Sequence, residues 1–230
     1  MKQIFNSRVV YKKYLTEDLL LIGFSANIDF KAGQFFHIIL DKDDPDNEKT
    51  GFRPYSILNS PKDAHSRGII ESFIRLIPNG LASEYLRKLN VSDEVLLRGP
   101  FGKFILDKNN NKHVLFCTGT GITPIHSIIQ QHIESENEFT LFHGAKNKEE
   151  LLYYDKFKEF EKKYKNFKYI ASLTREHEWD GLKGRLTQHL NIIDTFSDKT
   201  VYICGVKEFI SDVITILKDK TKNIIMERYT

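Results

Sequence analysis

A chain of 230 residues, 40% hydrophobic and 28% charged, has the composition of a soluble globular protein and enough length for one large domain or two small ones. Its net charge of +3 divides evenly, with 16 basic against 14 acidic residues over positions 1–110 and 18 against 17 over 111–230, which leaves no nucleic-acid footprint. The two cysteines, Cys117 and Cys204, each lie inside an apolar run, which excludes a disulfide framework and any four-cysteine zinc or iron–sulfur site within the chain and fits a reducing cytoplasm.

Residues 1–107 show short β-type runs between turns, over Ile4–Val10, Leu19–Phe24, Phe35–Leu40, Tyr55–Leu58, Ile69–Ile77 and Glu94–Arg98, with one helical stretch at Ala82–Leu89. Many short strands with a single helix predict a small antiparallel barrel, which closes its own edges. The acidic run Asp41–Glu48 reads as a solvated hairpin loop, since Pro45 and Phe52 fall where a calcium loop needs oxygen ligands. Asn109-Asn110-Asn111 is a polar break, placing the domains at 1–108 and 109–230.

After the break, apolar strands alternate with amphipathic helices. The strands are Val114–Cys117, Phe139–His143, Lys168–Leu173, Val201–Cys204 and Ile224–Met226; the helices lie near Pro124–Ile133, Lys148–Tyr164, Leu186–Leu190 and Glu208–Lys218. This βα alternation predicts an α/β domain with a mostly parallel sheet, whose ligands sit beyond the carboxyl ends of the strands. No apolar run reaches the ~18 residues that span a bilayer, so a soluble, cytoplasmic protein with no membrane partner is expected.

Four constellations have the residue types for chemistry. Arg53-Pro54-Tyr55-Ser56 joins a planar fork that matches a pyrophosphate, a ring that stacks on a flat heterocycle and a hydroxyl that bonds a ring nitrogen. Strand alternation puts Arg53 and Tyr55 on one face and Ser56 on the other. Taken alone, a surface arginine and a buried tyrosine explain the same residues. Pro78-Asn79-Gly80-Leu81-Ala82-Ser83 is a turn feeding a helix, either an anion seat or a plain Ser or Asn cap. Cys117-Thr118-Gly119-Thr120-Gly121-Ile122-Thr123-Pro124 is a strand, a glycine turn and a helix start, which admits a phosphate or is simply a tight βα turn. Near later strand ends, Thr174-Arg175 and Gly184-Arg185 offer two guanidinium groups for a 2′-phosphate or for solvent, and Cys204-Gly205 ends an apolar strand. The eight histidines show no metal-ligand spacing, so no metal is expected, and no GxSxG elbow is present.

In this order, and over nearly the whole chain, these motifs resemble the ferredoxin-NADP reductase family. Arg53-Pro54-Tyr55-Ser56 is similar to its RxYS flavin motif, which implies that Arg53 holds the FAD pyrophosphate, Tyr55 stacks on the isoalloxazine and Ser56 approaches its N5. Gly80 to Ser83, through Leu81 and Ala82, resemble the GxxS segment at the FAD phosphates, and Gly99-Pro100-Phe101-Gly102 the turn closing the barrel domain. Gly119-Thr120-Gly121 with Pro124 resembles the GTGxxP loop under the nicotinamide dinucleotide, and Cys204-Gly205 the CG pair beside the nicotinamide. Thr174, Arg175 and Arg185 are similar to the 2′-phosphate grip of bacterial members, so NADP(H) is favoured over NAD(H) as substrate. Glu227-Arg228-Tyr229-Thr230 resembles the acidic–aromatic end that places the nicotinamide and shields the flavin, but departs from it in finishing on Thr230.

The resemblance implies an N-terminal FAD-binding antiparallel β-barrel, a C-terminal α/β nucleotide-binding domain, and an FAD enzyme passing electrons between NADP(H) and a ferredoxin or flavodoxin. The catalytic group would be Ser56, Cys204 and Glu227, in a monomer. Alternatives are an NAD(P)H-flavin reductase, a flavin reductase subunit of a multicomponent oxidoreductase, and a non-catalytic nucleotide-binding regulatory module.

Overall fold

The computed structural model describes residues 3–229; Met1, Lys2 and Thr230 lie outside the described residues. The chain forms two compact units. The first holds the described residues up to Ile105 together with His126–Gln131, and the second holds Leu106–Ile125 and the described residues from His132 onward.

Six strands build the first unit: β1 (Gln3–Thr16), β2 (Leu19–Ser25), β3 (Phe35–Ile39), β4 (Phe52–Ser56), β5 (Ile69–Arg75) and β6 (Glu94–Phe101). They pair antiparallel in the order β4-β3-β6-β1-β2-β5. The two outer members meet just past Ser56. There the Leu58 N–H donates to the Glu71 carbonyl at 2.8 Å, and the Ser72 hydroxyl donates to the Ser56 carbonyl at 2.9 Å. That seam spares both edges from water, as a barrel requires. Ile22, Phe24, Phe36, Ile38, Ile70 and Leu97 fill the interior, each contributing on the order of 1.5–3 kcal/mol by leaving water.

Two helices accompany this sheet, α1 (Pro61–Arg67) and α2 (Leu81–Lys88). The sequence reading anticipates α2 but not α1, which buries only Ala64 and so has no apolar stripe. Terminal signals define α1 instead: the Ser60 hydroxyl accepts the Asp63 N–H, Pro61 opens the first turn, and Gly68 closes the helix at φ 65°. β4 also begins three residues before the expected Tyr55, because Phe52 pairs with Ile39 and draws the Arg-Pro-Tyr-Ser segment into the ladder.

The second unit is a parallel sheet of β7 (Lys112–Thr118), β8 (Glu138–Ala145), β9 (Phe167–Leu173), β10 (Leu182–Lys183), β11 (Thr200–Val206) and β12 (Ile224–Tyr229), in the order β10-β9-β8-β7-β11-β12. The helical elements of this half of the chain are α3 (Ile122–His132), whose residues His126–Gln131 belong to the first unit, α4 (Tyr154–Lys163) and α5 (Lys207–Leu217), with 3₁₀ turns at Gly119–Gly121, Lys148–Glu150 and Leu186–Ile192. Residues 200–205 of β11 are all buried, as expected of a strand covered on both faces. The single helix expected over Lys148–Tyr164 is broken: Leu151 and Leu152 turn inward, and Tyr153 takes a left-handed φ of 60° before α4 starts.

Candidate functional site

In the first unit, β4 carries the Arg-Pro-Tyr-Ser motif. Register places Arg53 opposite Ile38 and Tyr55 opposite Phe36, with Pro54 and Ser56 alternating onto the other face. The Arg53 guanidinium donates to the carbonyls of Phe52 (2.6 Å) and Lys49 (2.7 Å). Two of its five N–H donors therefore fix the fork, and three remain for an anion. Tyr55 is half-buried, its ring 6.4 Å from that of Phe36, and burial raises its hydroxyl above the ordinary value, so it stays neutral. Ser56 is buried at the seam of the barrel.

The turn Pro78-Asn79-Gly80 enters α2 with Asn79 in the left-handed region at φ 56°, a conformation asparagine tolerates. Gly80 is the N-cap and no side chain caps the helix. The first internal bond runs from Glu84 N–H to the Gly80 carbonyl, so the N–H groups of Leu81, Ala82 and Ser83 precede the ladder. The Ser83 hydroxyl turns back to accept the Ile77 N–H at 2.7 Å. A Ser or Asn cap, one of the two sequence readings of this turn, is therefore not made; bare N–H groups at a helix start favour an anion.

In the second unit the remaining predicted residues collect at the carboxyl edge of the parallel sheet. Gly119 has φ 54° and a β-carbon there would meet nothing within 4 Å, which leaves open space above the loop. Gly121 is the opposite case. A β-carbon on it would lie 2.8 Å from the Cys204 carbonyl carbon, so the loop is seated on β11. Thr120 is fixed from both sides, its carbonyl accepting the Thr123 hydroxyl at 2.6 Å and the Tyr229 hydroxyl at 3.2 Å. Pro124 is buried in the first turn of α3. Thr174 and Arg175 follow β9, tied by their N–H groups to the carbonyls of Ala145 and Lys146, and both side chains are exposed. Arg185 is also exposed, its N–H held by the Gln188 side chain at 3.0 Å.

Cys204 sits opposite Cys117 on β7 and opposite Glu227 on β12. Both cysteines are free and fully buried; burial first, and for Cys204 the nearby Glu227 carboxylate second, push the thiols well above their ordinary value. Cys204 is thus a neutral thiol at physiological pH rather than a nucleophile.

Two residues at this edge, Gly144 and Gln188, have no counterpart among the sequence motifs, and Thr118, which lies inside one of them, gains a packing role. Gly144 at the end of β8 is packed so closely that a β-carbon would lie 3.0 Å from Leu186, and Thr118 reaches within 2.7 Å of where Gly205 would carry one. Gln188 fixes the backbone of Arg185. Small residues ending apolar runs were the available signal for Gly144; Gln188 looks like any exposed polar residue. Among the described residues no group of three or more His, Cys, Asp or Glu side chains is placed to hold a metal, and no helix is long and apolar enough to cross a membrane.

Comparison with known proteins assigns the same two halves. Residues 8–105 match the oxidoreductase FAD-binding domain and residues 115–215 the oxidoreductase NAD-binding domain. The chain is 32% identical over 201 residues to the phenol hydroxylase P5 protein of Acinetobacter pittii, covering 83% of this chain and 54% of that protein. It is 30% identical over 222 residues to the reductase component of phenol 2-monooxygenase from Pseudomonas sp., covering 91% and 60%. The chain thus spans little more than half the length of these relatives. A ferredoxin NADP+ reductase from Neisseria gonorrhoeae with bound FAD and NADP shares the fold at a TM-score of 0.84 and 24% identity, over 98% of both chains.

Proposed function

The chain belongs to the ferredoxin reductase family of FAD- and NAD-binding oxidoreductases, and from that premise we propose that it passes electrons between NADP(H) and a separate one-electron protein carrier of the ferredoxin or flavodoxin type. The observation that supports this best is that each unit has backbone suited to a phosphate: the uncapped start of α2 in one and the open Gly119–Gly121 loop in the other. One dinucleotide per unit accounts for both, with the domains taken as 1–108 and 109–230.

In the first unit, Arg53 holds the FAD pyrophosphate with its unused donors, Leu81, Ala82 and Ser83 present backbone N–H groups to the phosphates, and Gly80 opens the turn that aims them. Tyr55 supplies a neutral ring for stacking, Pro54 stiffens the strand, and the Ser56 hydroxyl approaches flavin N5. In the second, Gly119, Thr120 and Gly121, followed by Pro124, cradle the nicotinamide dinucleotide. Cys204 and Gly205 line its nicotinamide end with Glu227 and Tyr229, the thiol acting as a small neutral contact. Held by these residues, FAD would supply the exchange between a two-electron hydride donor and a one-electron carrier. The residues named bind and orient; none acts as a nucleophile.

NADP(H) is preferred to NAD(H) on the strength of Thr174, Arg175 and Arg185, two exposed guanidinium groups and a hydroxyl suited to a 2′-phosphate. Two cysteines cannot hold an iron–sulfur cluster within these 230 residues, so the one-electron acceptor is proposed to lie outside them. Its free thiols support a cytoplasmic setting, and a monomer suffices, since each unit's proposed residues come from one chain.

A second reading is favoured by the phenol hydroxylase P5 protein and the phenol 2-monooxygenase reductase component among the relatives: this chain is the flavin reductase component of a multicomponent oxygenase. Reconstitution separates the two. Rapid NADPH-driven reduction of a ferredoxin or flavodoxin supports the first; turnover only with an oxygenase component supports the second.

A further inference from the structure

Away from the carboxyl edge of the parallel sheet, a cavity of about 430 Å³ lies along β9, lined by Lys168 and Tyr169 of the strand, Tyr154 of α4, and Trp179 and Asp180 of the loop before β10. It exists because β10 is only two residues long. It pairs with Ser172 and Leu173, leaving Lys168–Ala171 without a strand neighbour on that side. An uncovered edge ordinarily invites another strand, but this one is closed to it. The Tyr169 N–H donates to the Glu161 carboxylate at 2.9 Å, and Glu161 is in turn held by Lys158. A compact ligand therefore fits the cavity better than an extended peptide, and the volume is of the usual size for one.

The lining sets the chemistry. Tyr154 packs against Tyr169, ring centroids 5.8 Å apart, and edge-to-face against Trp179 at 5.5 Å, a continuous aromatic cluster that offers one apolar wall to a flat body. The Trp179 indole nitrogen is shielded from water and has no acceptor among the described residues, an arrangement native structures rarely tolerate. Lys168 is exposed and enters no ion pair among the described residues. A donor lacking an acceptor and a free cation both call for an acceptor-rich, anionic group.

We propose that this cavity binds a planar aromatic anion, an aryl carboxylate or its equivalent, with its ring laid against the wall that Tyr154 and Trp179 form together and its charge on Lys168. The site is separate from the residues assigned to the dinucleotide, which follow the carboxyl end of β9 at Thr174 and Arg175, and the inference rests on no part of the oxidoreductase reading.

Equilibrium dialysis of the purified holoprotein with 2-naphthoate tests it. We expect one saturable site whose affinity is unchanged by saturating NADP+. Binding should be at least fivefold tighter than that of the neutral 2-naphthalenemethanol, and weakened at least fivefold by Lys168→Ala and by Trp179→Phe. Lys168 is exposed, so its variant should fold normally. Absence of saturable binding, displacement by NADP+, equal affinity for the neutral analogue, or indifference to Lys168→Ala would each overturn the proposal.

Discussion

Gly121 rests on the backbone of Cys204: a β-carbon at Gly121 would lie 2.8 Å from the Cys204 carbonyl carbon and overlap its oxygen. The glycine loop after β7 and the end of β11 are therefore a single seat. Gly121→Ala must push the loop off β11, because the obstacle is backbone and cannot rotate away. The variant should bind NADP+ at least tenfold more weakly while its first unit keeps FAD. Titrating NADP+ against the flavin spectrum checks both halves of this expectation, and unchanged affinity would remove the loop from the site.

Arg53 is held by two backbone carbonyls, leaving three donors for a pyrophosphate. Arg53→Ala removes a bidentate, charge-assisted contact, a class of bond stronger than a neutral one. The purified variant should carry less than a tenth of the flavin of the parent protein, measured by absorbance near the flavin maximum against protein. Full occupancy would dismiss the assignment.

Arg175 and Arg185 are both exposed, so neither contributes much to folding. Replacing both with alanine should raise the Michaelis constant for NADPH by tenfold or more and that for NADH less than twofold. Steady-state kinetics with both cofactors decide this, and equal effects would indicate an NAD enzyme.

His143 is fully buried on β8, with Nδ1 3.1 Å from the Tyr169 hydroxyl, and burial pulls its pKa down from 6.5 to about 3. The sign follows from proton counting. Above pH 6.5 the imidazole is neutral folded or unfolded and costs nothing. Between about pH 6.5 and 3 only the unfolded chain binds the proton, so stability falls as pH drops, approaching about 1.4 kcal/mol per pH unit in that window. His113 and His132, also lowered chiefly by burial, act in the same direction. Denaturant melts at pH 7, 6, 5 and 4 should show this slope, and His143→Leu should reduce it by about one proton. An unchanged slope in that variant would show that His143 does not titrate as its burial requires.

The buried apolar runs of β2 and β11 are written in their residues, and so is the change from antiparallel to βα rhythm after Asn111. Elements held by terminal signals or by single tertiary contacts were not legible. α1 has one buried residue and no periodicity, yet Ser60, Pro61 and Gly68 define it. The break at Tyr153 arises because Leu151 and Leu152 are drawn into the core, a tertiary demand that overrides a good helical pattern. At the site, the glycine loop and the Arg-Pro-Tyr-Ser strand could be read from residue types. The missing cap on α2 turns on the Ser83 hydroxyl choosing the Ile77 N–H over its own helix, which residue type alone does not settle, and the seating of Gly121 on Cys204 and the bond from Tyr229 to Thr120 join parts of the chain far apart in sequence.

The most direct test of the central claim is an anaerobic absorbance titration of the purified protein with NADPH and, separately, NADH. The account predicts a yellow protein carrying FAD, bleached stoichiometrically by NADPH and only at much higher concentrations by NADH. A protein that binds no flavin, or a bound flavin that neither nucleotide bleaches, would contradict it.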